Sequence, residues 1–93
     1  MHYGKIEMTY DKALSIAYPV YERYTSFHEW AMRHCPDADA ETLNHMAEQD
    51  SVMWAEVRGQ LMFIARMFSW NDVDEMTIFM DLKDMYSEKH KKA

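Results

Sequence analysis

Apolar residues recur at helical spacing along most of the chain. Counting about 100° per residue, Tyr10, Ala13, Leu14, Ala17, Val20, Tyr21, Tyr24, His28, Ala31 and Cys35 fall on one stripe. Asp11, Glu22, Glu29 and Arg33 lie opposite, and Thr9 precedes the stripe as a cap, so the pattern predicts a helix over 10–34. Pro19 falls inside it. Proline removes a backbone donor and crowds the turn before it, so a kink or break is expected near Ala17–Tyr18. Cys35-Pro36-Asp37 reads as a turn. Asp37 or Asp39 can cap the next helix, with Glu41 in its first turn.

A second stripe runs from Ala40 through Leu43, Met46, Ala47, Met53, Trp54, Val57, Leu61, Ile64 and Phe68. Read as one helix, it sets Asp50 at the centre of the apolar face, where an unpaired carboxylate is costly. Either Asp50 has a partner or the helix breaks there and Asp50 or Ser51 caps a new one. The capping preference of both residues favours the break, giving helices over 39–49 and 51–69. Asn71 then caps a last helix over 72–89, with Asp72, Asp74 and Glu75 in its first turn and Lys89, His90, Lys91 and Lys92 at its far end, as the helix dipole prefers. Residues 1–8 read as an irregular arm and 90–93 as a basic tail. The expected fold is all-α, a compact single-domain bundle of about four helices.

Two of these helices carry more apolar surface than so small a bundle can cover. Leu61-Met62-Phe63-Ile64-Ala65-Arg66-Met67-Phe68 is apolar nearly all round. The last helix has Val73, Met76, Phe79 and Met80 on one face and Ile78, Leu82, Met85 and Tyr86 on another. Only Asp74, Thr77, Asp81 and Asp84 form a plainly wet strip. A homodimer or a helix-binding partner would absorb the surplus; the competing expectation is a monomer that wraps the third helix completely.

Composition narrows the function classes. With 93 residues, 48% of them hydrophobic, two glycines, two prolines and one cysteine, the chain is neither disordered nor a many-stranded sandwich nor a disulfide scaffold. The start, MHYGKIEM, has no apolar signal core, and no run reaches the roughly eighteen apolar residues of a membrane span. The expected location is the cytoplasm, or that of a host cell.

The net charge of −6 is unevenly spread. Between Pro36 and Arg58, the acids Asp37, Asp39, Glu41, Glu48, Asp50 and Glu56 face Arg58 alone. Such a chain is repelled by phosphates, so direct nucleic-acid binding is not expected, whereas a basic protein surface would attract it.

Catalytic signals are weak. His28-Glu29 opens HEWAMRH, but His28 and His34 are six residues apart and cannot share a metal on a straight helix. Glu41, His45 and Glu48 share a face and are the candidate metal ligands, with His34 or a symmetry mate to complete the set. Cys35 beside His34 lacks an oxyanion loop, and no glycine-rich phosphate cradle is present. No enzyme or cofactor is expected.

The candidate partner-binding residues are the carboxylates Asp37, Glu41, Glu48, Asp74, Asp81 and Asp84, with Tyr18 and Trp30 as aromatic anchors lying off the first stripe. Against this, rotation at Pro19 would bury Trp30. The expected function is a small acidic module that occupies a basic, nucleic-acid-handling surface of a partner protein. Small inhibitors of host defence carried by phages and plasmids share this build, an analogy of composition. A structural or regulatory homodimer is the alternative, and a metal-dependent helical enzyme the third reading.

Overall fold

The structure is a computed structural model, and it describes residues 8–68 and 73–91. Three α-helices account for it: α1 (Tyr10–His34), α2 (Ala40–Met67) and α3 (Glu75–Lys89), with a 3₁₀ turn at Cys35–Asp37 between the first two. Among the described residues there is no strand, and no helix is long and apolar enough to cross a membrane.

Each helix starts on a side-chain cap. Thr9 accepts the Lys12 amide at 3.1 Å, Asp39 the Thr42 amide at 2.8 Å and Asp74 the Thr77 amide at 2.8 Å. Hydrogen bonding to Thr42 holds the Asp39 carboxyl below its ordinary range, and the Thr77 amide does the same for Asp74. The expected cap Asn71 lies outside the described residues, but Asp74 is the residue that starts α3. α1 runs unbroken through Pro19, whose ring points to solvent. Ala17, Tyr18 and Tyr21 on either side are buried, so packing carries the helix across the missing donor.

The expected break at Asp50 does not occur. α2 is one helix of 28 residues, because Asp50 has a partner across the hairpin: its Oδ1 lies 2.9 Å from His28 Nδ1. The bundle therefore has three helices rather than four.

The core is confined to one end. Ala13, Leu14, Ala17, Tyr18 and Tyr21 of α1 meet Val57, Leu61, Ile64 and Phe68 of α2 under Ile78 and Leu82 of α3. Between Tyr21 and Met53 no side chain is buried. Helix lengths explain this. At 1.5 Å per residue α2 is about 42 Å long and α3 only about 22 Å, so α3 can roof barely half of the α1–α2 hairpin. The molecule measures 53 × 34 × 25 Å, and its radius of gyration of 16.1 Å exceeds the roughly 12 Å of a compact chain this long. The expectation of a compact bundle is corrected accordingly: a three-helix body carries a two-helix arm.

α3 is fastened at several points. Tyr10 donates from its hydroxyl to Asp81. Glu75 pairs with Arg58 at 4.0 Å, and Tyr86 donates to Glu29 at 2.9 Å. Glu22 gathers Tyr18, Lys89 and His90 within 3.2–3.3 Å.

Candidate functional site, a groove on the two-helix arm

Beyond the reach of α3 the facing sides of α1 and α2 stay open. On the side of the hairpin away from α3, a groove of about 440 Å³ is lined by Phe27 and Trp30 from α1, Met46 and Val52 from α2, with Thr42, His45, Glu48 and Gln49 between and around them. Trp30 is 43% exposed and Val52 58%. Phe27 tilts against Trp30 at 5.9 Å between ring centroids, and Trp30 against His34 at 4.8 Å, so the indole is braced by neighbours while one side faces water.

The opposite side of the arm is closed by polar and aromatic contacts. His28 stacks on Tyr24 at 5.7 Å, Tyr24 meets Trp54 at 5.4 Å, and Trp54 meets Phe79 of α3 at 6.0 Å. With the His28–Asp50 hydrogen bond this ladder ties the arm to the body. His28 lies on the α1 stripe, yet it makes this hydrogen bond at the surface.

The candidate residues divide into three groups. Asp37, Glu41 and Glu48 are exposed at the turn and along the arm, Glu48 on the groove itself. Trp30 is exposed in the groove, so the alternative that buries it is overturned. Asp74, Asp81 and Asp84 sit on α3, at the other end. Only Asp84 of these is both exposed and without a structural contact among the described residues; Asp74 caps the helix, and half-buried Asp81 accepts from Tyr10.

Tyr18 is not an exposed anchor. It is 7% exposed, because α3 covers α1 from a second side and the Lys89 ammonium lies 5.3 Å from the centre of its ring. Burial and the hydrogen bond to Glu22 push its phenol up to about 12.

The metal candidates do not converge. His45 Nε2 is 4.0 Å from Glu41 Oε1 with both side chains well exposed, and among the described residues no group of three His, Cys, Asp or Glu side chains is arranged to hold an ion.

Phe27, Thr42, Met46 and Gln49 are groove residues that the helical pattern alone assigned no binding part. Met46 lies on the α2 stripe and reads as core. The α2 pattern holds no signal that separates it from the buried members of that stripe.

Comparison with protein families, with curated proteins and with solved structures finds no match to this chain.

Proposed function

We propose that this protein is a binding module, not a catalyst, whose arm docks on a basic surface of a partner protein that otherwise handles nucleic acid. The observation that carries the reading is the pairing of apolar lining and acidic rim in one place. Phe27, Trp30, Met46 and Val52 supply a desolvatable centre, while Glu48, Glu41 and Asp37 supply negative charge around and beyond it. Tryptophan in a partly formed pocket is a typical anchor of binding energy. Rim carboxylates speed encounter with a basic surface and impose a salt dependence. Asp84, on the body, extends the same sign of charge along α3. On this reading the protein works in the cytoplasm, as a small anti-defence inhibitor of phage or plasmid origin would in its host.

The test is affinity capture from the native host at low and high salt, followed by binding kinetics with the purified partner. Asp37→Asn with Glu41→Gln is expected to slow association and flatten its salt dependence, and Trp30→Ala to speed dissociation. Duplex DNA or RNA should compete for the partner's site. If charge neutralisation leaves binding intact and nucleic acid does not compete, while Trp30→Ala still abolishes it, the nucleic-acid-surface reading is wrong.

A further inference from the structure

The side of α2 opposite its buried face carries a regular exposed stripe, whose Glu48 and Val52 also form the outer edge of the Trp30 groove. Glu48, Val52, Ala55, Gly59, Met62 and Arg66 follow one another at alternating spacings of four and three, the repeat of a coiled-coil seam. All six are exposed. Phe63, 64% exposed, borders the stripe on one side.

From this geometry we infer that α2 pairs with α2 of a second copy of this chain, antiparallel, about a two-fold axis passing between Ala55 and Gly59. Two observations select that occupant, and a third shows that surface is left to cover. First, the stripe is its own complement. In the antiparallel register that sets Ala55 against Gly59, Val52 falls opposite Met62 and Glu48 opposite Arg66, and the two-fold repeats each pair. Neither Glu48 nor Arg66 has an ion-pair partner among the described residues. The charges flanking the centre, Glu56 and Arg58, are already held within the monomer by Arg23 at 3.7 Å and Glu75 at 4.0 Å. Second, Gly59 is unexplained by the monomer. Glycine is among the poorest residues for a helix interior, yet a side chain built at Gly59 would meet nothing within 4 Å. With Ala55, it leaves the backbone bare where a second helix would cross closest. Third, the chain exposes 7082 Å², about 1,400 Å² more than the roughly 5,700 Å² expected of a compact protein of its mass.

The stripe from Glu48 to Arg66 is about 27 Å long. A contact of that length is a short one, so the dimer is weak and its population depends on concentration. The seam runs beside the groove of Trp30 and shares its edge at Glu48 and Val52. A groove partner and a second copy would compete for these two side chains, so the dimer is tested with the purified chain alone.

Sedimentation velocity from low micromolar to near-millimolar concentration should show a concentration-dependent rise from 11.2 kDa towards twice that mass. Arg66→Glu, and separately Glu48→Lys, should each raise the dimer dissociation constant by at least about tenfold by setting like charges face to face. The double exchange Glu48→Arg with Arg66→Glu should restore it, since the register is self-complementary. Gly59→Leu should abolish the dimer while leaving the melting temperature of the dilute monomer unchanged or higher. A strict monomer at every concentration, a double exchange that stays as weak as the single ones, or a Gly59→Leu chain that still dimerises would each overturn the proposal.

Discussion

Ile78 sits where all three helices meet, and it is 0% exposed. Replacing it by alanine removes three carbons from a junction whose walls belong to three different helices, so the space cannot close by one side chain shifting. Comparable buried isoleucine truncations cost about 2–5 kcal/mol; a value near the middle, about 3 kcal/mol, suits this site. A chain of this length has roughly 5–14 kcal/mol in total, and each kcal/mol moves the midpoint by about 4–8 °C. Ile78→Ala should therefore lower the melting temperature by roughly 12–24 °C, read by far-UV circular dichroism and checked by the urea midpoint. Met76, on the same helix and 67% exposed, is the control. Met76→Ala should stay within about 0.5 kcal/mol, the range of surface substitutions. The two residues are about 200° apart around α3. Equal losses, or the larger loss at Met76, would show that α3 docks through its other face and would refute the core assignment.

Alkaline titration should divide the tyrosines. Burial, reinforced by hydrogen bonds to Glu22 and Asp81, raises both Tyr18 and Tyr10 from an ordinary 10.0, Tyr18 to about 12. Their neutral forms favour the fold, so that stability is intact below pH 10.0 and is lost as the pH rises above it. Phenolate absorbance should show both ionising well above pH 10, and a single transition of all tyrosines near 10 would contradict this. Glu22 behaves in the opposite sense. His90, then Lys89 and Tyr18, hold its carboxyl below the ordinary 4.5 against a smaller opposing effect of desolvation. Its contribution is present above pH 4.5 and lost as the pH falls below it, so the difference in urea midpoint between wild type and Glu22→Gln should shrink between neutral and strongly acidic pH. Amide exchange should be faster across 24–33 and 43–52 than across 57–64 and 78–82, since the arm lacks buried side chains; uniform protection would count against a separate arm.

The local features of the sequence translate well into structure. Thr9 and Asp39 cap where the pattern sets a helix start, the Cys35–Asp37 turn is where it should be, and Trp30 is exposed. The expectations that fail depend on a partner distant in sequence. Asp50 has the composition of a break, and only His28, 22 positions earlier, makes a continuous helix affordable. Tyr18 lies off the stripe that faces one neighbour, but α1 has two, and the second buries it. The groove was hidden for a related reason. A helical pattern shows which side of a helix is apolar but not how far along that side a neighbour extends. Met46 and Val57 occupy the same kind of position on α2, yet only Val57 lies under α3.

The confinement of the core to one end also governs how freely the chain can vary. A substitution at Leu61 or Leu82 changes the free energy that keeps the protein folded, whereas one at Phe27, Thr42 or Gln49 changes mainly what the surface presents. Exposed residues at the tip, outside the His28–Asp50 pair and the Asp39 cap, can therefore be changed one at a time with little risk to the body that holds them up. The surface presented at the tip and the stability of the body are thus set by largely separate sets of residues.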